Sequence, residues 1–484
     1  MCLFWQAHKK YPVCKRPLAL LEFKVLHEGE NVIMNEKKRV FEEYHPLRAL
    51  TIMAVPAIVS QLITLAYSIA DTWFIGLTDN PGMVAACSLV LPVFMLSVSI
   101  SNLFGTGGGS LVSRLLGDGN ETEAKKVFAI SLWMSLLSAF AFVCVVMLFC
   151  DPLLNLLGAS DQTRDYARQY LIYVVGIGGI FNVMSMVLSN VIRSVGYSKE
   201  AGIGIGAGGA LNIILDPIFM FWIFPDGMQV TGAAVATMLS NVVTFIYFVF
   251  VCLKIRRTTV ISVDIRRGLP EKKSIKAIFG VGIPAGVSVL LFDLANMIAN
   301  KKMSIHGDTA LAAYGIVTKV ERLPLNIGIG ICLGMIPLIA YNYSSGNKAR
   351  MKQIFNCARI LGISIAVVCV IFYYCFSAGI VAFFIGDEET IQLGTAFLRA
   401  RCFATPFMFL CFNMVHYFNA IGKGRISFWL AVVRQLVFNI PIMLILNHMF
   451  GAAGLVWTQL IADICTVLVS YGVYFTVGKK SREA

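Results

Sequence analysis

Twelve apolar stretches follow one another along this chain, and few folds can accommodate them. They fall at 48–73, 84–112, 127–149, 168–191, 201–222, 231–253, 277–300, 310–339, 357–379, 391–418, 426–447 and 452–477. Each is long enough to cross the ~30 Å hydrocarbon layer as a helix rising ~1.5 Å per residue. In lipid every backbone N–H and C=O must be satisfied within the segment, so runs of this length are read as helices. The expected fold class is therefore an all-α polytopic membrane protein with 12 transmembrane helices. Composition agrees: of 484 residues 57% are hydrophobic and 14% charged, against roughly 25% charged in a soluble domain. An ordinary cytosolic enzyme and a disordered chain are both excluded.

The charges orient the helices. The net charge is +13, with 40 Lys and Arg against 27 Asp and Glu. Nineteen basic residues fall in or beside the loops that follow even-numbered helices, eight of them between Lys254 and Lys276. At most six accompany the odd-numbered helices: Arg164, Arg168, Lys301, Lys302, Arg399 and Arg401. The positive-inside rule then places both termini in the cytoplasm of a multi-pass protein of the cell (inner) membrane. The basic excess is taken up by this asymmetry, so nucleic acid is not an expected partner. The 13 cysteines include no CxxC pair, which leaves metal or thiol-redox chemistry without support. Residues 1–33 carry no long apolar run, and Met34 is a candidate translation start. The domain reading is an N-terminal cytoplasmic segment 1–47, an N-lobe 48–253, a linker 254–276, a C-lobe 277–477 and a tail 478–484.

The two lobes read as copies of one another. Val55-Pro56-Ala57 is echoed by Ile283-Pro284-Ala285. Gly119-Asn120, followed by Lys125 and Phe128, is echoed by Gly346-Asn347, Lys352 and Phe355. Val195-Gly196 matches Ile421-Gly422, and Pro217 matches Pro441. Six helices per copy enter the membrane the same way round. That predicts two six-helix lobes related by a pseudo-two-fold axis along the membrane normal, with a substrate path between them.

Ionisable residues inside a span cost about 2.5–3.5 kcal/mol on insertion scales and are functional candidates by default. Asp71 ends helix one, Asp216 lies in helix five before Pro217, and Thr237 lies in helix six. The topology brings all three to a similar depth in the outer half. Asn212 precedes Asp216 by four residues and shares its helix face, while Pro217 frees a carbonyl in the preceding turn. Two carboxylates, an amide, a hydroxyl and loose carbonyls are hard ligands suited to Na⁺, and the carboxylates suit H⁺ equally. In the second half, Asp293 is an intramembrane acid and Lys319, Glu321 and Arg322 cluster in helix eight; a structural ion pair is as good a reading of them as a substrate role. His416 and Arg434 read as interior structural groups. Gly204-Ile205-Gly206-Ala207-Gly208-Gly209 fits GxGxxG but follows no strand, so it reads as helix packing. The absence of any ATP-binding motif points to transport driven by an ion gradient, without a cofactor.

These residues together resemble the multidrug and toxic compound extrusion (MATE) family, from about residue 45 to 478, and are most similar to its bacterial DinF/MepA-like branch. The resemblance rests on Pro56 with Asp71 fifteen residues on in SIADTWFIG, the LNIILDP and GAAVAT segments, and the Gly-Asp-Gly-Asn loop after helix two. It implies two lobes around a cleft open alternately to each side, and export of cationic, hydrophobic compounds against Na⁺ or H⁺. It also implies an N-lobe cation site of Asp71, Asn212, Asp216 and Thr237, with a carbonyl from Ala233 and a bend of helix one at Pro56. Another branch uses C-lobe acids of helices seven and ten. Here Asp293 lies one residue from that helix-seven position, and helix ten has no acid. Gln61, Tyr67, Asp293 and Glu321 are candidates for the substrate cavity. The expected partners are small cationic, amphiphilic compounds and membrane lipid, the expected state is a monomer, and enzymatic activity is not expected. A lipid-linked oligosaccharide flippase of the same superfamily is the alternative; it would need a more basic cavity.

Overall fold

The structure is a computed structural model and describes residues 38–78 and 80–483. The question of a start at Met34 lies outside those residues. The chain is almost wholly helical. The spans are α1 (Pro46–Gly76), α2 (Pro81–Gly117), α3 (Glu121–Leu148), α4 (Asp161–Ser194), α5 (Ser198–Ile223), α6 (Gln229–Ile255), α7 (Lys272–His306), α8 (Asp308–Ser344), α9 (Lys348–Ala382) and α10 (Glu388–Ala420). The last continuous helical stretch, Gly424–Val477, is 54 residues long. Gly451 breaks it with φ 58° and ψ −138°, a left-handed conformation that glycine adopts without a Cβ penalty. Two spans result, α11 (424–450) and α12 (452–477). The connection expected at 448–451 is thus a kink within helix.

The helices run further than the apolar stretches because their first turns are polar and capped. Asn120 Oδ1 accepts from the Glu123 N–H at 3.1 Å, and Asn347 Oδ1 from the Arg350 N–H at 3.1 Å. α4 starts seven residues earlier than its apolar run, at a capping box formed by Ser160 and Thr163. Between α3 and α4 lies an unexpected short helix, Cys150–Leu157, closed by Gly158 in the left-handed region. Arg168 pairs with its Asp151 at 3.0 Å and Arg164 with its Asn155. Arg164 and Arg168 are therefore held locally.

The packing pattern has the symmetry of the repeat. Within the first six helices α1 packs on α5 and α2 on α4; within the second six α7 packs on α11 and α8 on α10. Between lobes α1 packs on α8 and α7 on α2, contacts that exchange under the swap, while α2 meets α8 at the axis itself. The fold is two six-helix lobes related by a pseudo-two-fold axis.

Glycines set the helix spacing. Along α5 the stripe noted in the sequence is shared between two neighbours. A Cβ on Gly202 would lie 2.5 Å from the Pro56 carbonyl oxygen of α1, and one on Gly208 2.0 Å from Thr244 Oγ1 of α6. Gly208→Ala is therefore expected to cost about 1–3 kcal/mol through overpacking. The check is the thermal unfolding midpoint in detergent, and an unchanged midpoint would mean that α5 and α6 are not this close.

Candidate functional site in the N-lobe

Three helices build the site. Asp71 sits in the last turns of α1. Asn212 and Asp216 occupy one face of α5, and Ala233 and Thr237, also four apart, one face of α6. Asp216 is fully buried and Asn212 nearly so. The Asn212 amide donates to Asp216 Oδ1 at 3.1 Å and to Thr237 Oγ1 at 3.2 Å, so one side chain ties α5 to α6. Asp71 lies within electrostatic range of Asp216. Ala233 is fully buried one turn before Thr237.

The backbone is adapted to this place. Pro217 follows Asp216 directly, and from Phe219 to Ile223 α5 widens into a π-helical turn. The start of α6 lies against that turn: a Cβ on Gly232 would come within 2.8 Å of the Phe219 carbonyl group. Removing a donor with proline and widening the next turn both leave backbone groups outside the regular ladder.

Buried polar atoms are normally hydrogen-bonded, so the exceptions mark what a site is made to hold. Asp71 Oδ1, Asn212 Oδ1 and Asp216 Oδ2 are all buried without a hydrogen-bond partner. All three are oxygen acceptors, and two belong to carboxylates. They fit a small hard cation or a proton; among the described residues no cluster of three or more His, Cys, Asp or Glu suits a transition metal.

The structure adds neighbours to the site: Tyr67, read from the sequence as a cavity candidate, and Tyr170 and Cys87, which the sequence did not single out. The hydroxyls of Tyr67 and of Tyr170, from α4, both lie within electrostatic range of Asp71 and Asp216, and Cys87 of α2 is close to Asp71. A Cβ on Gly209 of α5 would lie 3.4 Å from the Tyr67 ring. Tyr67 therefore borders the carboxylates, whereas Gln61 lies more than a turn earlier on α1. Tyr170 had no readable signal, being one aromatic among many beside a polar helix start. Pro56 lies inside α1, which continues unbroken through it, against Gly202.

The C-lobe is built differently. Glu321 is paired with Arg401 of α10 at 2.5 Å, and Arg401 also donates to the Tyr314 hydroxyl at 2.7 Å. Lys319 and Arg322, its neighbours in sequence, are exposed. Asp463, which sequence reading passed over, accepts from two guanidinium nitrogens of Arg434, Nε at 2.7 Å and Nη2 at 3.2 Å, and from the Gln459 amide at 2.8 Å. The Arg434 guanidinium stacks over Phe412. His416 hydrogen-bonds within its own helix to Phe412 O at 2.7 Å. Asp293 on α7 keeps one buried carboxylate oxygen unpartnered, with Arg322 in electrostatic range.

Comparison with known proteins places this architecture. The MatE family model matches twice, over residues 56–218 and 284–445, beginning at the two prolines that mark the internal repeat. The multidrug export protein MepA of Staphylococcus aureus is 32% identical over 442 residues, covering 91% of this chain and 96% of its own. Among solved structures, a MATE transporter in complex with MaL6 superposes with a TM-score of 0.84 at 23% identity, covering 91% of this chain and 99% of its own. A mutant of the Vibrio cholerae MATE transporter VcmN also superposes at 0.84, with 22% identity and 90% and 97% coverage. The chain, a multi-pass membrane protein, belongs to the MatE family of multidrug and toxic compound extrusion transporters, in its MepA-like branch.

Proposed function

We propose that this chain is a secondary active exporter that moves hydrophobic, cationic compounds out of the cell against inward flow of Na⁺ or H⁺. The observation that carries this reading is the trio of buried, unpartnered oxygens on Asp71, Asn212 and Asp216, two of them carboxylate oxygens. The name of the 32% identical relative, a multidrug export protein, supports the export half.

In this mechanism the coupling ion sits between Asp71 and Asp216, with Asn212, Thr237 and the Ala233 carbonyl completing its shell. Ion and drug each favour one of two arrangements of the lobes, and transport follows from that difference in affinity. Helix α1 bends at Pro56 as it passes between the two arrangements. Two related solved structures are described as a bent form and as a straight conformation. Gln61, Tyr67 and Asp293 line the substrate path, whereas Glu321 acts through its ion pair with Arg401. The division into N-lobe 48–253, linker 254–276 and C-lobe 277–477, cytoplasmic termini and a monomeric state in the cell membrane complete the proposal.

Proteoliposomes loaded with ethidium and given a Na⁺ or an H⁺ gradient separately test it. Efflux is expected under at least one gradient and not without one. Equal movement with and without gradients would replace the antiporter by a channel.

A further inference from the structure

The third residue of α3 and the third residue of α9 occupy equivalent positions in the two repeats. Each follows a Gly-Asn pair in which the glycine has positive φ (Gly119 75°, Gly346 78°) and the asparagine caps the helix. One residue is Glu123 and the other is Arg350. Both are buried, at 6% and 8% exposure, and both reach across to the other lobe.

Glu123, in the N-lobe, accepts from the Glu271 N–H at 2.8 Å and from the Ser274 hydroxyl at 2.7 Å. Glu271 immediately precedes α7, the first helix of the C-lobe, so a carboxylate from one lobe caps the positive end of the other lobe's first helix. Arg350, in the C-lobe, donates to the carbonyls of Phe41 at 2.7 Å, Val40 at 3.2 Å and Tyr44 at 2.6 Å. These carbonyls end the helical turn leading into α1, the first helix of the N-lobe. A guanidinium from one lobe thus closes the negative end of the other lobe's lead-in. Asn342, donating to the Phe41 carbonyl at 3.1 Å, and Tyr341, donating to Glu42 at 2.5 Å, reinforce it. The charges are opposite because the backbone poles they meet are opposite.

The two contacts sit on the face that carries the lead-in to α1 and the linker. The lobes are closely sealed on that side. A Cβ on Gly334 of α8 would lie 2.6 Å from Ala54 of α1, and one on Gly107 of α2 2.4 Å from the Ile278 carbonyl oxygen of α7. Ser110 of α2 donates across the seam to the Asn419 carbonyl at 2.7 Å. Alternating access requires this seam to open.

We propose that Glu123 and Arg350 are positioning residues of the transport cycle, a pseudo-symmetric pair of clasps that hold this side of the cleft shut and release when it opens. The proposal rests on the alternating-access reading above. Through Arg350 it ties the lead-in of α1, the helix that carries Asp71, to the opposite lobe, and through Glu123 it ties the start of α7.

The test uses the full chain in nanodiscs, with its reactive cysteines replaced and spin labels at Glu121→Cys and Lys352→Cys, one exposed position per lobe beside the clasps. Glu123→Ala and Arg350→Ala are each expected to raise the ratio of long to short interlobe distances by about tenfold, since buried hydrogen bonds present in one state only are lost. Glu123→Gln keeps an oxygen for the same two donors and is expected to stay near the unsubstituted distribution. Arg350→Lys keeps the charge without the fork and is expected to fall between. Unchanged distances in folded alanine variants would overturn the proposal, as would Glu123→Gln behaving like Glu123→Ala. Should Arg350→Ala fail to fold, the lysine variant and the Glu123 pair still decide it. The distances need no substrate, so a shifted distribution in a protein that moves no ethidium would refute the export reading and leave the clasps standing.

Discussion

Asp216→Asn is expected to abolish gradient-driven ethidium efflux while leaving the protein folded in the membrane, with an unfolding midpoint equal to or above that of the unsubstituted chain. The two halves of this expectation have one cause. Asp216 is fully buried and receives a single hydrogen bond, from Asn212, while its second oxygen has no protein partner. A charge held this way is costly to the fold, by about 2.5–3.5 kcal/mol on insertion scales. Asparagine has the same shape and still accepts from Asn212, but it can neither balance a cation nor take up a proton. Removing a destabilising charge that serves function raises stability as activity falls. Asp71→Asn should behave alike, because Asp71 Oδ1 is also buried and unpartnered. Thr237→Ala removes only a neutral acceptor and is expected to weaken apparent ion affinity about tenfold, close to one hydrogen bond. Efflux rates across a range of Na⁺ and pH, with midpoints measured in parallel, check all three. Unimpaired efflux in Asp216→Asn would end the N-lobe site.

What made this candidate site readable from sequence was its isolation. A carboxylate in a long apolar run stands out, and helical spacing alone puts Asn212 over Asp216, whereas Ala233 came only with the family resemblance. The twelve spans and the repeat were legible for a related reason, since lipid imposes length and hydrophobicity on every span. The matched glycine and proline landmarks then exposed the duplication. What stayed hidden depended on pairings between distant positions. Glu321 finds Arg401 eighty residues away, and Arg434 finds Asp463 across the kink at Gly451. The sequence neighbours of Glu321, two basic residues, drew attention away from the true partner, because residues one and two apart on a helix do not face each other. The clasps at Glu123 and Arg350 look like ordinary first-turn charges until the lead-ins of α7 and α1 are seen against them.

The repeat also shows where the two lobes have parted. α11 and α12 are the counterparts of α5 and α6. At the α5–α6 interface the N-lobe holds an uncompensated acid; at the α11–α12 interface the C-lobe holds Asp463, neutralised by a two-pronged contact with Arg434. One scaffold thus carries unpaired acids at the α5–α6 interface and a paired acid at the matching α11–α12 interface. Coupling concentrated in the N-lobe is consistent with that asymmetry.

The paired acid should respond to substitution with the opposite sign. Asp463→Ala leaves the Arg434 guanidinium buried without a counter-charge, and it also strips Gln459 of its acceptor. Breaking a buried pair from one side costs about 3–5 kcal/mol, a large part of the ~5–15 kcal/mol that holds a typical domain together. The expected result is a steep fall in the unfolding midpoint and in the amount of protein recovered from membranes. Replacing both partners, Asp463→Leu with Arg434→Met, removes the charge together with its complement and should recover most of the stability, since apolar replacements of a buried pair are often neutral or better. Arg434 also stacks on Phe412, a contact that methionine sulfur can partly replace. If Asp463→Ala were as stable as the unsubstituted chain, the pair would not be the strut described here. If the double replacement retained efflux, the Asp463–Arg434 pair would be structural, and coupling would not pass through it.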